Sequence, residues 1–79
     1  MSDPLPLTAA QLAQSRVIAK GRRIRDVERL VADYGGRASR WTKKASPVCL
    51  DENGEYEYHW YEHQGLGRFE VKRKPVNHA

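Results

Sequence analysis

The residues best suited to chemistry in this chain are one imidazole, one phenol and a set of lysines. His59 stands in the run Glu55-Tyr56-Glu57-Tyr58-His59-Trp60-Tyr61-Glu62, which is followed after a glycine-rich turn by Phe69-Glu70-Val71-Lys72-Arg73-Lys74. An imidazole whose ordinary pKa is ~6.5 exchanges protons near neutrality. Lysine and arginine beside it suit a phosphate. Together these groups fit metal-independent cleavage of RNA. A base takes the proton from a ribose 2′-OH, an acid protonates the leaving 5′-oxygen, and cations stabilise the charged phosphorane. In that chemistry His59 is the acid or base. Lys72, Lys43, Lys44 and Arg68 hold phosphate, and Tyr61 either donates a proton or stacks on a base. Lys74, Arg22 and Arg23 extend the contact to a nucleic-acid backbone.

Each residue also has a plainer reading. A histidine flanked by aromatics in a strand is more often structural than catalytic. Lys72-Arg73-Lys74 reads equally as a solvated edge strand protected from aggregation. Trp41 and Trp60 are core residues before they are stacking platforms, because so short a chain needs them inside. Arg22, Arg23 and Arg25 solvate a helix entrance as readily as they bind RNA.

Alternating side chains along a strand set which of these groups meet. In Glu55–Glu62 the pleat puts Tyr56, Tyr58, Trp60 and Glu62 on one face and Glu55, Glu57, His59 and Tyr61 on the other. The aromatic face is the expected partner of a helix. Phe69, Val71 and Arg73 are expected to join it, leaving Arg68, Glu70, Lys72 and Lys74 beside His59 and Tyr61.

The elements that position them follow from periodicity and punctuation. Pro4 and Pro6 keep the start extended, and Thr8 with Gln11 fits a capping box opening a helix over Ala9–Lys20. Its stripe of Ala9, Leu12, Ala13 and Val17, with Ile18 at its margin, is thin. After Gly21, the positions Ile24, Val27, Leu30, Val31 and Tyr34 recur at helical spacing, and Gly35-Gly36 supply a positive-φ stop. Strands are expected from Trp41 to Lys44, at Val48–Leu50, at Glu55–Glu62 and at Arg68–Lys74. The pair Asn53-Gly54 predicts a type I′ hairpin turn. The fold class is α+β, a helix or two packed on a small antiparallel meander of three to four strands. Residues 1–21 read as an arm and helix, and 22–79 as the α+β domain, one globular unit overall.

Composition bounds the function. The chain has 79 residues, with 14 Lys and Arg against 10 Asp and Glu for a formal charge of +4. A single small core leaves room only for a shallow site, and the positive charge favours a polyanion. Cys49, the lone cysteine, reads as a small strand residue. No apolar run reaches the roughly 20 residues that span a bilayer, and the N-terminus lacks the features of a signal peptide. His59 and His63 would lie about 13 Å apart on a strand, too far to share a metal, and Cys49, His59, His63 and His78 would need an unusual fold to form a zinc site. Gly65-Leu66-Gly67 lies in a hairpin instead of preceding a helix, so it is no phosphate cradle. No cofactor is implied.

The stretch from Leu30 to Lys44, containing Tyr34-Gly35-Gly36-Arg37-Ala38-Ser39-Arg40-Trp41, then Tyr58-His59-Trp60-Tyr61-Glu62, then Phe69-Glu70-Val71-Lys72, resembles the C-terminal toxin modules of bacterial contact-dependent-inhibition and Rhs-type polymorphic toxins. The resemblance extends over Arg22 to Lys74. Such modules are similar to the small ribonucleases of the barnase, EndoU, colicin and RelE group. It implies a metal-independent endoribonuclease that cleaves RNA, with tRNA the expected target, in the cytoplasm of a bacterial target cell, and a dedicated acidic immunity protein as partner. Carried over by position, His59 is the acid/base group, Lys43 or Lys44 and Lys72 are the phosphate cations, and Tyr61 is an auxiliary donor. Modules of this kind close long delivery proteins, whereas this sequence opens on its own methionine, as an excised module, an orphan cassette or a phage-borne relative would. Two other functions remain open: a non-catalytic nucleic-acid-binding module, and a protein-interaction module that lends an exposed strand to a partner.

Overall fold

The computed structural model of the chain describes residues 5–76; Pro4 and His78 lie outside them. The capping box forms as expected. Thr8 Oγ1 accepts from the Gln11 backbone N–H at 3.1 Å, and Gln11 Oε1 accepts from the Thr8 N–H at 2.9 Å. The helix it opens, α1, covers only Ala9–Ala13. Instead of continuing to Lys20, the chain becomes a strand, β1, at Arg16–Lys20. A thin alanine stripe buries too little to hold a helix against water, and the β-branched Val17 and Ile18 suit a strand once an edge is available for pairing. That edge is β2, Trp41–Ala45, which β1 joins in antiparallel register. Residues before Gly21 thus supply a strand to the sheet as well as an arm.

Gly21, at φ 60, opens a 3-10 turn over Gly21–Arg23, and Ile24 follows it into the core. The second helix, α2, covers Val27–Tyr34. It ends where expected, with Gly35 at φ 94 and its N–H bonded to the Val31 carbonyl at 2.8 Å. A second 3-10 turn, Ala38–Arg40, leads into β2. The remaining strands are β3, Cys49–Asp51, β4, Gly54–His63, and β5, Gly67–Pro75.

These make one five-stranded antiparallel sheet in an α+β domain. Strands β2 and β3 lie end to end along one edge of β4, β5 runs along its other edge, and β1 extends the sheet beyond β2. Ser46 stitches the β2–β3 junction, where Pro47 has no N–H to give. Its backbone N–H donates to the Tyr58 carbonyl and its buried hydroxyl oxygen accepts from the Tyr58 N–H, both at 2.9 Å. No helix among the described residues is long and apolar enough to cross a membrane.

The hydrophobic core is Ile24, Val27 and Leu30 against Trp41 and Phe69, with Ala19, Val31, Ala38 and Tyr61 packed around it. Tyr34 stacks on Phe69 with ring centroids 4.3 Å apart, and the Trp41 indole N–H donates to the Gly35 carbonyl at 3.1 Å. The sheet face under α2 is therefore the one carrying Trp41, Lys43, Tyr61 and His63, which pair across β2 and β4. This reverses the expected assignment, in which Tyr56, Tyr58 and Trp60 met the helix. Trp60 is buried on the opposite side, its indole N–H bonded to Glu62 Oε1 at 3.1 Å.

A β-bulge in β5 completes the correction. Between the pairs His59↔Lys72 and Tyr61↔Phe69, two residues of β5, Glu70 and Val71, face Trp60 alone. The extra residue flips side-chain parity, so Phe69 and Lys72 both point to the α2 side. Arg68 pairs with Glu62, and Arg73 pairs with Tyr58, both on the other side. Glu70 takes φ 58, the one described non-glycine residue with positive φ. It accepts from the Arg29 guanidinium through both carboxylate oxygens at 2.8 Å, and from the Tyr34 hydroxyl at 2.8 Å. The hairpin turn at the other end also departs from expectation. Only Gly54, at φ 116, has positive φ there, so the Asn53-Gly54 pair does not form the type I′ turn that needs it at both central residues.

Candidate active site

The helix ends before the sheet does, leaving one stretch of the α2-side face beyond its reach. Cross-strand register assembles a row there: Arg16 of β1 beside Ala45 of β2, Ala45 beside His59 of β4, and His59 beside Lys72 of β5. The next row toward the helix runs Ala19, Lys43, Tyr61, Phe69. His59, Lys72, Tyr61 and Lys43, the four residues singled out for catalysis, consequently line one pocket of about 40 Å³ with Lys74 and Glu70. An adjoining groove of about 430 Å³ adds Arg23, Arg25 and Asp26 from the approach to α2.

Glu57 was not among the candidates, and the structure places it in the site. Lying two residues before His59 on the same strand, it shares the histidine's face. Its Oε1 is 3.0 Å from His59 Nε2, and both of its oxygens lie 3.2 Å from Arg16 Nη2. The His59 hydrogen bond and the Arg16 guanidinium outweigh burial and hold the Glu57 carboxyl below its ordinary range. An ionised carboxylate at Nε2 places the ring proton there and leaves the Nδ1 lone pair of neutral His59 as the acceptor. The i, i+2 spacing of acid and imidazole in a strand was the available signal for Glu57. Nothing comparable announced Arg16, because its element was expected to be helical.

Tyr61 is pushed above its ordinary pKa, chiefly by burial and then by the charges of Asp26 and Glu70, so its hydroxyl stays protonated at neutral pH as a donor. Lys43 Nζ lies 5.8 Å from the Tyr61 ring centroid. None of the ion pairs among the described residues involves Arg23, Arg25, Lys43, Lys72 or Lys74.

The other candidates lie elsewhere. Lys44 and Arg68 are on the opposite sheet face, bound to Glu62 at 2.9 and 3.0 Å, and so are not grouped with His59. Burial would raise Glu62, but its hydrogen bonds to Lys44 and Trp60 prevail and lower it. Arg22 projects to a separate depression shared with Lys20 and Arg37, and its guanidinium is 3.6 Å from Glu28. His63 is boxed in by Trp41, whose ring meets it edge-on with centroids 5.3 Å apart, and neither of its nitrogens has a hydrogen-bond partner. Among the described residues no group of three His, Cys, Asp or Glu side chains could hold a metal ion. Cys49 is free and half-buried.

Set against protein-family models, curated proteins and solved structures, the chain matches none of them.

Proposed function

We propose that this protein is an endoribonuclease of the toxin kind, cleaving RNA by acid/base chemistry at His59 without a metal cofactor. The observation that carries this reading is the cross-strand pair of His59 and Lys72, lining one pocket with Lys43 and Tyr61 while Glu57 fixes the imidazole. In the proposed reaction, His59 Nδ1 removes the proton of a ribose 2′-OH. The 2′-oxygen bonds to the adjacent phosphorus as the P–O5′ bond breaks, giving a 2′,3′-cyclic phosphate, and the leaving 5′-oxygen takes a proton from the Tyr61 hydroxyl or from water. Lys72 and Lys43 offset the charge that gathers on the phosphorane. An acidic immunity protein covering these cations is part of the proposal, since opposite charge speeds such an association.

The test is incubation of the purified protein with bacterial RNA in EDTA, read on a denaturing gel. Wild type is expected to yield discrete fragments. His59→Ala, folded by circular dichroism, is expected to slow cleavage by about 100-fold or more, the range for loss of a general acid or base. Equal cleavage by both proteins rejects the assignment of His59, and intact RNA in both lanes rejects the catalytic reading.

A second reading is a non-catalytic nucleic-acid-binding module. The feature favouring it is the groove of cations outside any ion pair among the described residues, next to a pocket small for catalysis. It predicts salt-sensitive RNA binding with no cleavage over long incubation.

A further inference from the structure

We infer that Lys20, Arg37 and Arg40 form a second phosphate-binding site on the far side of the sheet from His59, engaged by the same RNA strand. The inference rests on the RNA-binding part of the reading above and adds to it an outlying contact that fixes the substrate class as a strand several nucleotides long.

The register separates the two sites. Lys20 pairs with Thr42, Thr42 with Glu62, and Glu62 with Arg68. This row points away from α2, whereas the rows of His59 and Tyr61 point toward it. On that far side an open cavity of about 570 Å³ is lined by Lys20, Ser39, Arg40 and Thr42, among others. A second depression, about 550 Å³, shares Lys20 and Ser39 with it and adds Arg22 and Arg37.

Two features make this a candidate for a ligand contact instead of a merely solvated face. First, the carboxylate in the larger cavity, Glu62, is already taken by Lys44 and Arg68, and none of the ion pairs among the described residues involves Lys20, Arg37 or Arg40. Gathered cations without counter-charges repel one another, a cost that an incoming polyanion removes. Second, the two sites are joined. Buried Gly21 at φ 60 seats the turn Gly21–Arg23 against Ser39, where a Cβ at position 21 would stand 3.6 Å from the Ser39 Cα. Consecutive residues of that turn then face opposite ways along the belt: Arg22 lines the far depression and Arg23 the groove beside Lys43 and Lys72. A backbone of regularly spaced phosphates matches a cationic belt that passes around the β1 margin. A single phosphate or a dinucleotide reaches only one end of it.

The test compares a single-stranded RNA of about 12 nucleotides, within the range that one small domain covers, with a dinucleotide. The triple variant Lys20→Gln, Arg37→Gln, Arg40→Gln is expected to bind the longer RNA at least tenfold more weakly at low salt. The slope of log affinity against log salt should become shallower by about 2, from roughly 0.7 per phosphate lost on a single strand. Dinucleotide binding or cleavage should change less than twofold. Val48→Glu, Leu50→Glu, Asn53→Asp makes the same change in net charge at the β3–β4 hairpin, and should leave the slope unchanged. Equal slopes for wild type and the Gln variant, or equal losses in the Gln and hairpin variants, overturn the inference. Wild type that binds the longer RNA without cutting it removes the catalytic reading and leaves this comparison intact; wild type that binds no RNA overturns both.

Discussion

The two ends of the α2-side sheet face share strands and pleat yet carry opposite chemistry. Toward the β4–β5 turn, Trp41, Tyr61 and Phe69 pack beneath the helix, while farther along the same strands the equivalent positions hold Arg16, Glu57, His59, Lys72 and Lys74. Helix length explains the division. The eight residues of α2 span about 12 Å at 1.5 Å per residue, whereas the ten residues of β4 reach about 33 Å. A cover this short removes water from one end only. Large apolar side chains pack there, and at the other end titratable groups gather, with Glu57 and His59 partly buried against each other and against Arg16. A small domain can thus hold a polar site on the face that also carries its core.

The largest effect should come from breaking the packed end. Trp41→Ala removes a fully buried indole and should cost about 3–5 kcal/mol, a large part of what a domain this small possesses. His59→Ala at the open end should shift the urea midpoint only slightly. Denaturation followed by circular dichroism checks both, and a Trp41→Ala protein as stable as wild type would break the comparison.

Next in size is Gly36→Ala. Gly36 has φ 78, and a Cβ there would run into His63 Nε2. A loss of about 1–3 kcal/mol is expected. Because two residues in contact couple, adding His63→Ala should recover part of that loss. Strict additivity in the double-mutant cycle would show that the imidazole does not press on Gly36 in solution.

The bulge at Glu70 joins the two ends and offers a finer test. Glu70→Gly and Glu70→Ala both remove the carboxylate from Arg29 and Tyr34, but only glycine adopts φ 58 without strain. The glycine variant should be the more stable by about 1 kcal/mol. Equal stabilities would mean that the β5 bulge relaxes once its anchor is lost.

The smallest effect is a pH dependence. Hydrogen bonds from Arg29 and Tyr34 hold Glu70 below its ordinary value of 4.5, as His59 and Arg16 hold Glu57. A carboxyl lowered on folding adds stability that is complete above its unfolded pKa and is lost as pH falls through the folded one. Melting temperature should therefore hold steady down to the ordinary carboxylate range and fall below it. Arg29→Gln should flatten the decline at the packed end, and Arg16→Gln at the open end. Acid profiles identical to wild type in both variants would remove these ion pairs from the account.

Much of the fold was legible because its signals are local. The capping box of Thr8 and Gln11, the helical spacing from Val27 to Tyr34, the Gly35 stop and the strand pattern of β4 each act within a few residues, and each appears in the structure. The grouping of His59 with Lys72 and Tyr61 was also readable, although part of the reasoning fails. Simple alternation from Phe69 puts Lys72 beside His59 with Phe69 on the opposite face; the bulge brings both residues to one side. The strand at Arg16–Lys20 was not legible, since Val17 and Ile18 fit a helical stripe until β2 presents an edge.

Local pattern by itself determined the element types after Gly21, the turn sites and the chemical character of each strand, since capping, glycine conformations and side-chain alternation depend on near neighbours in the chain. Only the tertiary structure decided which sheet face α2 covers, that Arg16 and Glu57 attend His59, and that Lys44 and Arg68 stand on the other side. The physical reason is parity. A period of two assigns faces only while the register is unbroken, and one extra residue, at Ile18 in β1 or at Glu70-Val71 in β5, reverses every assignment beyond it.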